Sequence, residues 1–279
     1  IRIKKNLIRE VSLTEIQDFV LAEIEKAFKH GIPIAANSDI DKEMLLNAFY
    51  RSPQTYFSKH KLSLLGSESI TINQDSIDVG YFYFRNGFVE VTKAGVTLKD
   101  YSELQNFIWI DQVIDRDFSL IADEVCDFQQ FVINVSGQKE GRFASLRTII
   151  GYLLHSFSDY PMRAVNLTDS KISDFDEGRT GKTLLSRSTG KVRNYKEIAG
   201  KSFQPENEKK YQELTLGTQI THINDARSNL NFELLYNDIT DGMRVRKLYQ
   251  EPFTIKTKMI ISSNRPLAVH GSSAKARVI

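Results

Sequence analysis

The stretch Gly178-Arg179-Thr180-Gly181-Lys182-Thr183 constrains this chain more than any other part of its sequence. A glycine-rich turn that ends in Gly-Lys-Thr lets backbone N–H groups surround a phosphate, while the lysine reaches the β- and γ-phosphates and the hydroxyl binds Mg²⁺. The loop joins a strand, predicted at 164–167, to a helix that continues through Leu184 and Leu185. These six residues are therefore predicted to bind ATP, and Thr183 is predicted to bind Mg²⁺.

The loop also departs from the full phosphate-binding pattern. That pattern places its first glycine at the position that Asp176 occupies here. Asp176 and Glu177 put negative charge beside a site for triphosphate, which opposes binding unless both side chains point away. Taken alone, the loop leaves nucleotide binding undecided.

Two later apolar runs end in polar side chains, at Ile220–Asp225 and at Ile260–Asn264. Asp225 is placed to polarise an attacking water or to hold a Mg²⁺ ion, and Asn264 is placed to orient water against the γ-phosphate. Each residue, taken alone, is also compatible with an ordinary turn after a strand. Their order after the phosphate loop favours nucleotide hydrolysis.

Composition limits the class of protein. The chain has 279 residues, which suffices for two domains, and no apolar run approaches the ~20 residues that a membrane helix needs. The single Cys126 excludes an internal disulfide and indicates a reducing compartment, so we expect a cytoplasmic protein without a membrane partner. The chain lacks an initiator Met and ends soon after Arg277, so we expect a fragment whose last domain is incomplete at its C-terminus.

The net charge of +2 is unevenly distributed. Residues 100–127 carry eight acidic side chains against Arg116 alone, which argues against nucleic-acid binding there. The segment 244–258 is basic, and it can fold back around 250–252. Its candidates for single-stranded DNA contact are Arg244, Arg246, Lys247, Lys256 and Lys258. An exposed, solvated strand explains these basic residues equally well.

Helices are predicted in the N-terminal part of the chain. Ser12 and Glu15 have the spacing of a capping box, and apolar residues at helical spacing follow to about residue 30. A second helix is predicted over 41–51, where Pro53 blocks its continuation, and a short third helix over 54–65.

Strands follow these helices. The pair Asn86-Gly87 predicts a hairpin between strands at 81–84 and 88–91, with neighbouring strands at 70–72 and 96–98. Residues 1–130 are therefore predicted to form a small α+β domain of helices followed by an antiparallel sheet. Residues 131–279 are predicted to form an α/β domain around the phosphate loop.

The second domain resembles the superfamily 3 helicases of viruses, phages and mobile elements, in particular the helicase part of poxvirus-type primase-helicases. The similarity covers the phosphate loop, the run Ile220–Asp225, the segment Asp238–Tyr249 and the run Ile260–Pro266. The segment Asp238–Tyr249 matters most for the resemblance, because generic phosphate-loop ATPases lack it. Residues 80–155 also resemble the linker region of phage primase-helicases, more loosely.

The resemblance implies an AAA+-like ATPase that hydrolyses Mg²⁺-ATP and moves on single-stranded DNA as a ring homo-oligomer, a hexamer. It implies a role in phage or mobile-element DNA replication, beside a primase domain or replication protein. By position, Lys182 would bind phosphate, Thr183 the metal, Asp225 would be the catalytic acid and a metal ligand, and Asn264 the polar sensor. Arg277, or else Lys275, would reach into a neighbouring subunit's site, and the segment 238–249 would supply a DNA-contacting hairpin.

Two alternatives stay open beside this helicase hypothesis. The family places two acids at the end of the acid-tipped strand, whereas this chain has Asn224 before Asp225. That departure favours a nucleotide-binding ATPase switch or scaffold without unwinding activity. A small-molecule phosphotransferase fits less well, because it leaves the basic segment 244–258 unexplained.

Overall fold

The computed structural model of the protein describes residues 1–29, 41–66, 69–121, 126–157, 162–169, 180–248, 250–267 and 271–279. This part of the chain divides into two compact units, Ile1–Thr71 and Ile72–Ile279. The division does not coincide with the boundary predicted between residues 130 and 131. Whether that boundary separates two functional domains stays a prediction.

The first unit contains a short hairpin and four helices. Its elements are β1 (Arg2–Lys4), β2 (Leu7–Arg9), α1 (Leu13–Lys29), α2 (Lys42–Arg51), α3 (Pro53–Tyr56) and α4 (Lys59–Leu62). The predicted capping box is present: the Glu15 amide donates to Ser12 Oγ at 3.2 Å, and the Ser12 amide donates to Glu15 Oε2 at 3.0 Å. The third predicted helix is instead two short ones, of which α3 begins at Pro53, a residue favoured at a first helical position.

The second unit is mixed α/β. Its elements are β3 (Val79–Phe84), β4 (Gly87–Thr92), β5 (Gly95–Lys99), β6 (Ile108–Trp109), α5 (Asp127–Val135), α6 (Glu140–Leu154), β7 (Val165–Leu167), α7 (Lys182–Thr189), β8 (Tyr195–Ala199), β9 (Ile220–Asn224), α8 (Tyr236–Thr240), β10 (Met243–Val245), β11 (Phe253–Ile255), β12 (Lys258–Ser262) and α9 (Gly271–Lys275). The predicted combination of helices with several sheets, one of them parallel, is confirmed.

The strands β3, β4 and β5 form an antiparallel sheet in that order. The predicted hairpin is confirmed, but its turn lies one residue earlier, because Phe84 pairs with Gly87 across Arg85 and Asn86. Gly87 has a φ of 151°, and a Cβ there would lie 2.4 Å from the carbonyl oxygen of Lys99. The strand predicted at 70–72 is reduced to a single bridge between Ile72 and Phe107.

The second sheet is parallel, with the order β7-β12-β9-β8. Its two central strands are buried almost throughout, as expected for strands covered on both faces. Ile220, Ile223, Ile260 and Ile261 are 0% exposed, which explains the apolar runs in the sequence. A further parallel bridge joins Val278 to Ala164, beside β7.

A buried ion pair joins the two sheets. Arg193, immediately before β8, donates through Nη2 to Asp75 Oδ2 at 2.8 Å, and the two side chains are 2% and 1% exposed. The guanidinium also donates to the carbonyls of Tyr81 and Leu154, each at 2.6 Å. Asp75 in turn accepts the amides of Tyr81 and Ser156 at 2.8 and 2.7 Å. Both members of this pair are therefore also hydrogen-bonded to backbone groups of the second unit.

None of the helices in the described ranges combines the length and the apolar composition that a membrane crossing requires.

Replacement of Arg193 by alanine is expected to lower the free energy of unfolding by about 3–5 kcal/mol, because it leaves the Asp75 carboxylate buried and unpaired. Urea denaturation measures this change. As a control, Arg85→Ala removes a guanidinium whose side chain is 62% exposed beside Asp117, and it should cost no more than about 1 kcal/mol. Equal losses in the two variants would contradict the anchoring role of Arg193.

Candidate functional site

The carboxyl ends of β7, β12 and β9 meet at one edge of the parallel sheet. A cleft of about 550 Å³ opens there, and the helix α7 begins beside it. In open α/β sheets, ligands bind in the crevice outside these strand ends. The cleft is lined by Thr180, Gly181, Lys182, Thr183, Leu184, Asn224, Asp225, Ser262, Ser263 and Asn264. Four of the predicted catalytic or metal-binding residues, Lys182, Thr183, Asp225 and Asn264, therefore lie together.

The second half of the predicted phosphate loop leads directly into α7. Gly178 and Arg179 lie outside the described residues, and Thr180 is the first loop residue that the structure places. Gly181 precedes the helix with a φ of 91°, and a Cβ at this position would lie 3.1 Å from the ring of Phe131. Glycine is therefore favoured at position 181 for two reasons: the backbone is left-handed, and the Phe131 ring leaves little room for a side chain.

Lys182 is held by a carboxylate that the sequence analysis did not identify. Its Nζ lies 2.6 Å from Asp169 Oδ1, and the two side chains are 14% and 11% exposed. The Thr180 hydroxyl donates to the same oxygen and lies 3.1 Å from Lys182 Nζ. Burial raises the pKa of Asp169, but hydrogen bonds from Lys182 and Thr180 outweigh this and hold that pKa below its usual value. A negatively charged oxygen therefore already contacts the lysine.

Asn224 connects α7 to both neighbouring strands of β9. The hydroxyls of Thr183 and Ser262 donate to Asn224 Oδ1 at 3.1 and 3.0 Å. Asn224 Nδ2 donates to Glu197 Oε1 on β8 at 2.8 Å. Arg187 holds the same carboxylate with two hydrogen bonds of 2.7 and 2.8 Å. The Arg187 guanidinium is the main cause that lowers the pKa of Glu197 to about 2, so this carboxylate is charged.

A buried histidine lies behind the cleft. His222, inside β9 and 0% exposed, has Nδ1 2.6 Å from the Tyr195 hydroxyl and Nε2 2.9 Å from Ser262 Oγ. Burial lowers the pKa of His222 to about 4, so the ring is neutral near pH 7. Ser262 Oγ also accepts the Asp225 amide at 3.2 Å and donates to Asn224 Oδ1, so three residues of this edge meet at one hydroxyl.

Asp225 lies at the rim of the cleft. Its φ of 57° is left-handed, which aspartate tolerates better than most residues, and it ends the strand sharply. Its carboxylate pairs with Lys201 at 2.9 Å, and the two side chains are 42% and 76% exposed respectively. An ion pair this exposed contributes little to stability. The carboxylate can therefore exchange Lys201 for another partner at small cost.

Arg277, which is predicted to reach into the site of a neighbouring subunit, lies outside this cleft. Its guanidinium stacks 4.8 Å from the centre of the Tyr236 ring. Its Nη1 donates to the carbonyl and hydroxyl of Ser273 at 2.9 and 2.7 Å. Lys275, the alternative, is exposed at the end of α9. A role in a neighbouring subunit stays a prediction for both residues.

Most of the predicted DNA-contacting residues lie on a second feature, the antiparallel hairpin of β10 and β11. Arg244 is exposed on β10, and Arg246 pairs with Glu208 at 2.7 Å. Lys247 Nζ lies 5.7 Å from the centre of the Phe253 ring, and Lys256 is exposed after β11. The predicted fold-back around 250–252 is confirmed.

Lys258 does not belong to this exposed surface. It is 4% exposed at the start of β12, with Nζ 4.0 Å from the centre of the Tyr152 ring. Burial lowers the pKa of this lysine to about 8. Its inclusion among the DNA contacts is corrected on that ground, because a central strand of the parallel sheet buries side chains on both faces.

A second cleft of about 380 Å³ lies beside the phosphate loop. Helices α5 and α6 contribute Val135 and Arg142 to its wall, and β7 contributes Asn166. The Asn166 Oδ1 atom is buried and accepts no hydrogen bond from the described residues. The two clefts share Thr180, Gly181 and Lys182, so the loop separates a polar space from a less polar one.

The described residues contain no group of three or more His, Cys, Asp or Glu side chains that could hold a metal ion by themselves. Mg²⁺, however, commonly binds through one or two protein oxygens together with waters and substrate phosphates. The hydroxyl of Thr183 and the carboxylate of Asp225 line the same cleft and fit that manner of binding.

Comparison of the chain with models of protein families finds no matching family, and comparison with curated proteins finds no match.

His222 provides a pH-dependent test of this geometry. Its pKa is about 6.5 when unfolded and about 4 when folded, so its neutral form contributes stability that is complete above pH 6.5 and is lost as the pH falls toward 4. We expect His222→Gln to reduce this loss by roughly 1–3 kcal/mol between pH 6.5 and 4, measured by denaturation at each pH. His60→Gln, at an exposed position, is the control and should leave the pH profile unchanged.

An NMR titration of the wild-type ring gives an independent measurement that needs no variant. A His222 pKa at or above 6.5 in the folded protein would contradict the assignment of a neutral, buried ring.

Proposed function

We propose that the protein is an ATP-dependent DNA helicase or translocase subunit, acting on single-stranded DNA as a ring oligomer in phage or mobile-element replication. One observation carries the proposal. Lys182, Thr183, Asp225 and Asn264 come from three separate parts of the chain, and all line one cleft at the carboxyl edge of the parallel sheet. Random turns after strands would not place a lysine, a hydroxyl, an acid and an amide in one space.

ATP fits the pair of clefts by size and chemistry. The triphosphate would lie along the cleft that Lys182 and Thr183 line, with its charge facing the start of α7. The base would enter the less polar cleft, which Asn166 lines together with apolar side chains of α5, α6 and α7. Bound Mg²⁺ would neutralise charge that develops on the phosphates.

The protein's own side chains supply the remaining chemistry. Asp225, once released from Lys201, is the carboxylate that can accept a proton from an attacking water. Asn264 can orient that water through its amide. Hydrolysis therefore depends on a rearrangement of two ion pairs, Lys182 with Asp169 and Asp225 with Lys201.

The basic hairpin of β10 and β11 supports DNA as the polymer on which the ATPase acts. Arg244 is exposed, and Arg246 pairs with a Glu208 side chain that is 69% exposed. Basic side chains that neutralise phosphates bind DNA without reading its sequence, and such binding weakens steeply with salt.

The nucleotide-binding switch without unwinding activity remains the second candidate. It is favoured by Asn224, a neutral residue at the position where the resembled family has an acid. It is also favoured by Lys201, which already pairs with the proposed catalytic carboxylate of Asp225. In that case, ATP would control assembly, and turnover would be slow with or without DNA.

The deciding experiment measures ATP hydrolysis by the full chain with and without single-stranded DNA. We expect DNA to stimulate hydrolysis and Lys182→Ala to reduce it by about 100-fold or more, because the main charge on the phosphates is removed. Lys191→Ala, at an exposed position just beyond α7, is the matched control and should behave as wild type. The double variant Arg244→Ala/Arg246→Ala should keep basal hydrolysis and lose the stimulation by DNA.

Nucleotide binding that depends on Lys182 but shows no turnover under either condition would overturn the motor proposal and support the switch. Absence of nucleotide binding would overturn both.

Asp169→Asn tests whether the carboxylate on Lys182 competes with the nucleotide. We expect ATP to bind about 5–30-fold more tightly, corresponding to 1–2 kcal/mol, because the phosphate no longer displaces a charged partner. Isothermal titration calorimetry with ATP measures the change. Asp238→Asn removes a similarly buried partner from Lys210, far from the phosphate loop in sequence, and should leave ATP affinity unchanged. Weaker binding by Asp169→Asn would show that this carboxylate assists the bound nucleotide instead.

A further inference from the structure

Glu197 lies outside the lining of the candidate phosphate site and contacts it through Asn224. The contact runs between adjacent parallel strands, from Asn224 Nδ2 at the end of β9 to Glu197 Oε1 on β8, over 2.8 Å. On its other side, Asn224 accepts the hydroxyl proton of Thr183. A chain of three side chains thus leads from a charged carboxylate to the hydroxyl that is placed to meet a cation.

The contacts leave the Asn224 amide one favourable orientation. If the amide were reversed, its oxygen would lie 2.8 Å from the Glu197 carboxylate, and two oxygens without a proton between them repel each other. In the observed orientation, Oδ1 accepts two hydroxyl protons, from Thr183 and Ser262, and both of its lone pairs are used. Glu197 therefore determines which end of the amide faces the phosphate loop.

The proton of Ser262 supports the same orientation. Ser262 Oγ accepts the Asp225 amide and donates its single proton to Asn224 Oδ1. A reversed amide would place an N–H group against this proton. The contacts on both sides of β9, with Ser262 and with Glu197, thus fit the same orientation of the amide.

The direction of the Thr183 proton follows from this arrangement. Because Thr183 donates its proton to Asn224, the lone pairs of its oxygen remain available to a cation in the cleft. Partners that orient a metal ligand in this way commonly change metal affinity by 10- to 100-fold when they are removed.

We propose that Glu197 is a positioning residue for the Mg²⁺-nucleotide site: it orients the Asn224 amide, which in turn orients the Thr183 hydroxyl toward the cation. This inference rests on the proposed nucleotide site. The amide of Asn224 suits a neighbour such as Glu197, because its N–H group donates a hydrogen bond to the carboxylate. An aspartate at position 224 would instead place two carboxylates side by side, and they would repel each other.

The test uses Glu197→Gln, Asn224→Asp and the double variant, with two measurements on the full chain. The first is the melting temperature without nucleotide. Asn224→Asp should lower it by several degrees, about 2–4 °C for each kcal/mol of repulsion in a domain of this size, and the added Glu197→Gln should restore it.

The second is the Mg²⁺ concentration that half-saturates binding of a fluorescent ATP analogue. Glu197→Gln should raise it about 10-fold, and the double variant should bring it back toward wild type.

Two controls separate positioning from general stabilisation. Glu90→Gln removes a carboxylate of nearly equal exposure, 24% against 25%, that pairs with Lys99 in the antiparallel sheet, and it should leave the Mg²⁺ requirement unchanged. Arg187→Met removes the ion pair of Glu197 but keeps the contact between Glu197 and Asn224. It should also leave the Mg²⁺ requirement near that of wild type.

The failure of this inference is distinguishable from the failure of the proposed function. If wild type binds the analogue through Lys182 but Glu197→Gln behaves like Glu90→Gln, the positioning role is overturned while the nucleotide site stands. If wild type binds no nucleotide, the proposed function fails and the positioning role falls with it. A double variant no more stable than Asn224→Asp would overturn the pairing of the two residues in either case.

Discussion

The parallel pairing of β12 with β7 on one side and β9 on the other is the constraint on which the candidate site depends. Neighbouring strands lie about 4.8 Å apart, so the residues that follow them become neighbours although they are far apart in the chain. Asn224 and Ser262 meet, and Asp169 reaches Lys182 beside them, because these three strands end at one edge. A slip of one residue in the pairing would turn Ser262 to the opposite face and break its contacts with Asn224 and His222.

The charges at this edge are already paired within the protein. Lys182 contacts Asp169, Asp225 contacts Lys201, and Glu197 contacts Arg187. These pairs differ in exposure, and the pair around Lys182 is the most protected from solvent. A polyanion that binds Lys182 must therefore replace a short, shielded interaction, whereas Asp225 gives up only an exposed one. In the proposed function, the exchange at Lys182 governs the affinity for phosphate, and the separate exchange at Asp225 frees the carboxylate for chemistry.

The antiparallel sheet also contributes to the position of the site, although it carries none of its residues. Arg193 sits just before β8 and is held by Asp75 and by the carbonyls of Tyr81 and Leu154. Because β8 begins one residue after Asn194, this anchor defines where the strand that bears Glu197 starts. The antiparallel sheet, the end of α6 and the start of β8 are connected through this buried guanidinium.

The sequence by itself determined the elements whose signals are local. The glycine turn before Lys182, the apolar runs that end at Asn224 and Ser262, and the hairpin around 250–252 are all readable from neighbouring residues, because periodicity and turn chemistry act over a few positions. The strand order, the ion pair of Asp169 with Lys182, the contact of Glu197 with Asn224 and the burial of Lys258 were decided only by the tertiary structure. These depend on which strands become neighbours, and a contact between residues distant in the chain leaves no periodic signal in either segment.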